Sequence, residues 1–291
     1  MHAQTEIGMT HPKSPSFWEA FLFWLKLGLI SFGGPAGQIA IMHQELVEHK
    51  RWISERRFLH ALNYCMVLPG PEAQQLAIYI GWLLHRGWGG VVAGVLFVLP
   101  SLLILMALSW IYLAFGHLAV VAGIFYGVKP AVTAIVFQAT HRIGARVLNN
   151  AALWFVAMAS FLALFVGDVP FPAIIVAAAL FGLVGGQYWP ARFASGGGHG
   201  ASKKHFDPAL IDDDTPTPAH ARFRWAHTCK IGVIGLSLWL APMLVLISVY
   251  GWQGIYTQMG LFFTKAALLT FGGAYAVLPY VVQGAVEHYG W

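Results

Sequence analysis

The chain has 291 residues, 58% of them apolar and only 10% charged, with a mean hydropathy of +0.64. A soluble domain carries about a quarter charged residues, so this balance excludes an ordinary water-soluble fold and points to lipid. The net charge of +5 comes from Lys and Arg in short loops, with no basic stripe interleaved with aromatics, so it does not indicate a nucleic-acid partner.

Residues 1–16 read as a polar cytoplasmic tail without the basic and apolar regions of a signal peptide. Residues 17–48 are apolar but interrupted by Gly33-Gly34-Pro35. A charged stretch, 45–57, leads into residues 58–84, which Pro69-Gly70-Pro71 interrupts in the same way. Residues 91–115 and 118–139 are each long enough to cross a hydrocarbon core roughly 30 Å thick. Residues 151–166 with 171–186, and 231–250, supply further apolar helices. Between them, 189–228 contains Gly196-Gly197-Gly198, Asp212-Asp213-Asp214 and Thr215-Pro216-Thr217-Pro218, the composition of a solvated cytoplasmic linker. The fold class is therefore an all-α integral membrane protein, a polytopic helix bundle with broken, re-entrant helices. Residues 17–188 form its first transmembrane domain. Residues 229–291 supply a connecting helix and an incomplete second repeat.

The repeat is visible at one constant offset. Lys26 aligns with Lys265, Phe32-Gly33-Gly34 with Phe271-Gly272-Gly273, Glu48-His49 with Glu287-His288, and Trp52 with Trp291. Chance likeness between apolar helices does not reproduce a Lys, a Gly pair, a Glu-His pair and a Trp in one register, so internal duplication is the better reading. Each half of an interrupted segment is about fifteen residues, roughly 22 Å of helix, too short to cross comfortably. If both interrupted segments turn back, Lys50, Arg51, Arg56, Arg57, Arg86, Arg142 and the linker cations all share one side, as the positive-inside rule prefers. The second copy then starts from the opposite face, an inverted repeat. A topology in which residues 17–42 cross once remains compatible with charge.

Broken helices end inside the membrane. Helices starting at Pro35 and Pro71 would aim free backbone N–H groups and a partial positive charge inward, a geometry that suits an anion; packing kinks in ordinary crossing helices are the plainer alternative. Lys26 and Lys265 lie midway along their half-helices, where a Lys costs roughly 3 kcal/mol and so needs a partner, a role or a route to the headgroups. Lys129, beside Pro130, and Arg142, at a helix end, are secondary candidates for contact with an oxyanion or for plain anchoring. After the second break, Gln74 and Gln75 can donate amide hydrogens, and Glu72 is the proton-coupling candidate or simply a comfortable first-turn acid. Cys65 and Cys229 lie far apart and read as free thiols. No catalytic constellation, metal spacing or cofactor motif is present, so an enzyme and a cofactor are not expected.

Phe32-Gly33-Gly34-Pro35, Glu48, Trp52, Leu68-Pro69-Gly70-Pro71 with Gln74, and Leu99-Pro100 resemble the chromate ion transporter family. The resemblance runs over about residues 17–188 and resumes over 258–291. It implies export of chromate across the inner (plasma) membrane, with chromate resistance and sulfate as the chemical analogue. It also implies two homologous halves of opposite orientation. Gly33, Gly34, Pro35, Pro69, Gly70, Pro71 and Gln74 carry over as substrate-binding positions. Two departures stand: the second copy has Ala274 in place of Pro35, and it reaches Trp291 before any second Pro-Gly-Pro hairpin. The chain is then expected to be truncated or to pair, as a homodimer or with a missing half-domain. Alternatives in function are a sulfate uptake permease and a non-transporting membrane subunit.

Overall fold

A computed structural model describes residues 14–30, 34–148, 150–167, 169, 171–188, 208–216, 218–270 and 277–291. Its elements are helical: α1 (Phe17–Ile30), α2 (Gly34–His43), a π-helical turn π1 (Gln44–His49), α3 (Glu55–Val67), α4 (Glu72–Phe115), α5 (Ala119–Val147), α6 (Ala151–Phe165) and α7 (Phe171–Tyr188). After a 3-10 turn (Ala219–Ala221) come α8 (Trp225–Tyr250), α9 (Ile255–Leu268), α10 (Leu278–Val281) and a second π-helical turn, π2 (Val282–His288). Among the described residues three stretches are long and apolar enough to cross a membrane: Glu72–Phe115, Ala119–Gln138 and Trp225–Tyr250.

The chain divides into two compact units, Met1–Ser101 with Ala201–Trp291, and Leu102–Gly200. In the second unit α6 and α7 pack as neighbours, with the Phe155 and Phe181 rings 6.4 Å apart, and Tyr112 meets Phe125 edge to face at 5.2 Å. Its apolar side chains point outward, as they do on helices whose solvent is hydrocarbon.

In the first unit the interrupted segments fold back on themselves. From α1, the chain passes Ile30, begins α2 at Gly34 and returns until Trp52 packs edge to face on Phe23 (5.2 Å), with Lys50 3.5 Å from Glu19 and over the Trp52 ring. Segment α3, capped by Ser54 accepting from Arg57 N–H, runs to Val67. The chain turns at 68–71 and returns along the first part of α4, bringing the Tyr79 ring 6.2 Å from Tyr64. Segment α4 is two helical arms joined at a kink, where the backbone leaves helical geometry at His85 (φ −131°) and Arg86 (φ 55°). There it reverses: a Cβ on Gly81 would lie 2.5 Å from Gly89 O, and Gly94 faces Ile78. Glycine lets the two backbones touch at Gly81 and Gly89 and makes room for the Ile78 side chain at Gly94, so the arms of the hairpin pack closely. The apolar stretch predicted over 91–115 is the long second arm.

Residues 208–216 and 218–221, expected to be solvated, are docked instead. Leu210 N–H donates to Arg51 O (2.8 Å), Ile211 N–H to Trp52 O (3.1 Å), and Ser54 N–H to Ile211 O (3.0 Å). Ser54 Oγ donates to Asp213 Oδ1 at 2.6 Å, and Arg57 donates to the Thr215 carbonyl. Ala209 and Ile211 are buried, which supplies the apolar anchor that the acidic run obscures. His220 Nε2 lies 3.1 Å from Trp82 O, and His85 Nε2 lies 3.0 Å from Pro15 O. The start of α1, the 50–54 turn, the 85–86 reversal and the docked segment thus gather at one end of the unit.

From that end the 26 residues of α8 carry the chain roughly 39 Å. A short turn at 251–254 then starts α9 back along α8, with Trp239 Nε1 donating to Thr264 Oγ1 (3.0 Å) and Gly260 against Met243. The second copy therefore begins from the opposite end. Its closure repeats the first in detail. Trp291 packs on Phe262 at 5.7 Å as Trp52 packs on Phe23. Trp291 N–H donates to Ala285 O as Trp52 N–H donates to Leu46 O, and Tyr289 N–H to Gly284 O as Lys50 N–H to Glu45 O. Positive φ recurs too, at Arg51 (55°) and Gly290 (69°).

Candidate functional site

Helix α2 begins one residue before Pro35, at Gly34, whose φ of 77° only glycine adopts without strain. Gly33 lies outside the described residues, as do 271–276 of the second copy. At the other break, Leu68 is extended (ψ 144°), as the residue before a proline must be, and Gly70 has φ +123°. Pro71 O then accepts from Gln75 N–H at 3.0 Å, so α4 begins at Glu72 with the proline on its N-terminal cap.

Gly70 N–H donates to Thr270 O at 2.7 Å. Thr270 closes α9 and is the second-copy counterpart of Ser31, so the broken tip of one copy touches the tip of the other. At this junction some polar groups are paired, while Gln75 Oε1 and the Glu72 carboxyl lack a hydrogen-bond partner among the described residues. Thr270 is buried, its hydroxyl donating to Ala266 O. Gln75 Nε2 donates to Pro69 O at 2.7 Å, and its Oε1 is buried with no hydrogen-bond partner. Glu72 is buried in the first turn of α4 and makes no hydrogen bond or ion pair among the described residues. Gln74 is half-buried and Pro69 and Pro71 are exposed. An N-terminal helix turn carries about half a positive charge and unpaired N–H donors, so this junction can hold an anion through backbone dipoles.

The other predicted residues lie elsewhere. Lys26 and Lys265 occupy the exposed faces of α1 and α9, opposite buried Trp24 and Leu27 in one copy and Phe262 and Ala266 in the other. Lys129 is exposed on α5 in the second unit, and Arg142 lies near the end of the same helix. Thr270 was not among the residues read as site candidates; its correspondence to Ser31, next to the repeated Phe-Gly-Gly, was the available signal. Cys65 is buried and Cys229 exposed, both free. Among the described residues no group of three or more His, Cys, Asp or Glu side chains is placed to hold a metal ion.

Residues 18–183 match the family model described as Chromate transporter. The chain is 35% identical over 283 residues to a chromate transport protein of Pseudomonas aeruginosa, covering 96% of this chain and 60% of that one. It is 31% identical to a chromate transport protein of Cupriavidus metallidurans (93% and 59%). Against a probable chromate transport protein of Synechococcus elongatus the identity is 28% (92% and 60%). No solved structure matches it. The chain thus spans about 60% of the length of these relatives. With a family model matched over more than half its residues, and with helices long and apolar enough to span a bilayer, this membrane protein belongs to the chromate transporter family.

Proposed function

We propose that the chain is a secondary transporter that carries chromate, a tetrahedral dianion, out of the cytoplasm across the inner membrane and so confers resistance. The observation that carries this reading is the Gly70 N–H to Thr270 O bond, which joins broken-helix tips reaching inward from opposite ends of one unit. Such a junction lies near mid-membrane, where alternating access places a substrate site. The first turn of α4 supplies N–H donors, Gln74 an amide, and Gly34 with Pro35 a second helix start. Glu72 is the group we assign to proton coupling; Lys26 and Lys265 stand on the exposed faces of α1 and α9, apart from this junction. A membrane potential, negative inside, favours expulsion of an anion by about 2.3 kcal/mol per charge per 100 mV, roughly twice that for a dianion.

The test is chromate accumulation in a sensitive bacterial host expressing this chain, with Pro71→Ala, Glu72→Gln and Lys26→Ala variants. Accumulation below that of the empty host, lost in Pro71→Ala, supports export through the broken-helix junction. Accumulation equal to the empty host despite confirmed membrane insertion overturns export by this chain alone. A second reading is a membrane subunit that transports only with a partner. On that reading Lys26→Ala changes assembly, read by cross-linking, and leaves accumulation where the unmodified chain has it. Sulfate uptake, the same-site alternative, is read in the same host as growth on limiting sulfate.

A further inference from the structure

The start of α8 gathers cations with no acid beside them among the described residues. A cavity of about 370 Å³ is lined by His220, Arg222, Arg224, Ala226, His227 and Lys230. Among the described residues no carboxylate lines it. His220 is held by Trp82 O, but the side chains of Arg222, Arg224 and Lys230 make no hydrogen bond or ion pair among the described residues. Guanidinium and ammonium groups gathered round one hollow repel each other unless an anion enters it. Loose anchoring charges need no concavity; here the side chains border one.

The depth of the cavity indicates which anion. It sits at the first turn of a helix long and apolar enough to span. Phe223 and Trp225 beside it are exposed and in edge-to-face contact at 5.1 Å. Aromatics of this kind mark the headgroup level, and Arg and Lys just outside a spanning helix attract anionic lipid. From this convergence we infer that the cavity binds a phosphate-type oxyanion, supplied by the headgroup of an anionic phospholipid. Arginine supplies paired donors to phosphate oxygens, and Lys230, further into α8, a point charge.

The test uses the full chain purified in neutral detergent, with phosphatidylglycerol, phosphatidylcholine and inorganic phosphate titrated separately and bound ligand counted by native mass spectrometry. Phosphatidylglycerol is expected to bind at least tenfold more tightly than phosphatidylcholine. Each of Arg222→Gln, Arg224→Gln and Lys230→Gln should weaken it about fivefold, and the triple variant about a hundredfold. The single variants keep the test standing where the triple variant does not fold. Inorganic phosphate binding as tightly as the lipid would assign the same cavity to a soluble oxyanion. Equal binding of the two lipids, or unchanged phosphatidylglycerol binding by the variants, overturns the inference. Neither readout involves chromate movement, so this result is independent of the transport assay.

Discussion

Replacing Gly70 with alanine perturbs the junction of the two hairpin tips at its most constrained point. The φ of +123° is one that L-residues hold only at a cost of about 1–3 kcal/mol. The added Cβ would lie 2.7 Å from Gln75 Nε2, the amide that donates to Pro69 O. Moving that amide aside forfeits a hydrogen bond worth about 1 kcal/mol net. Together these disfavour the observed tip by about 2–4 kcal/mol, and 2 kcal/mol alone reduces its population about thirtyfold. Chromate export by Gly70→Ala should therefore fall at least tenfold while the chain still inserts. The matched control is Gly251→Ala: φ is +73° there, but nothing lies within 4 Å and the turn is remote from the tips. It carries a comparable backbone cost and should keep its export. Wild-type export by Gly70→Ala, or equal loss in both variants, would refute the assignment of function to the junction.

Gly284→Ala should lower the thermal midpoint in detergent by several degrees: a Cβ there falls 2.2 Å from the Phe262 ring, which is stacked on Tyr280, and overpacking of this kind costs about 1–3 kcal/mol. Ser54→Ala removes both the α3 cap and the 2.6 Å bond to Asp213, and should cost about 1–2 kcal/mol in chemical denaturation. A double-mutant cycle with Asp213→Ala should return a coupling of at least about 0.5 kcal/mol; zero coupling would mean that the Ser54–Asp213 bond contributes nothing to holding the 208–216 segment. Arg86→Gly relieves an exposed residue at φ 55° and should stabilise the reversal in α4 by about 1 kcal/mol, read in the same denaturation.

The repeat was legible because its register rests on residues that chance does not align, and the geometry follows them pair by pair: Phe23 with Trp52, Phe262 with Trp291. Both breaks were legible as well, since Gly and Pro state their backbone demands locally. Charge placed the 50–57 loop, Arg86 and the linker on one side, and the first unit gathers the same segments at one end. What stayed hidden depends on distance in sequence. The docking of 208–216 on the 51–54 turn joins residues about 160 apart through backbone groups that carry no sequence signature. The reversal at His85 and Arg86 has no turn residue in its left-handed position. Gly81, Gly89 and Gly94, where the two arms approach, are the residues that permit it. Thr270 entered no site reading because its partner is the backbone of Gly70 in the other copy.

The two copies share a backbone and differ in what they place on it. In both, a π-helical turn, a residue at positive φ and a Trp returning to a Phe close the hairpin. Gly290 occupies the positive-φ position in the second copy at no steric cost, whereas the first copy holds Arg51 there, stabilised by Nη1 donating to Val47 O at 2.7 Å. A glycine would fit position 51 with less strain. Packing gives no reason for the arginine, because the same closure forms around Gly290. The charge gives one: Lys50 and Arg51 stand at the end where the docked segment and the 85–86 reversal also gather, while Tyr289 and Gly290 stand at the other. Accepting strain to keep cations at one end and omitting them at the other is what the positive-inside rule demands of a duplicated hairpin used in both orientations. On that argument the inversion of the repeat is written in the difference between its copies as much as in their likeness.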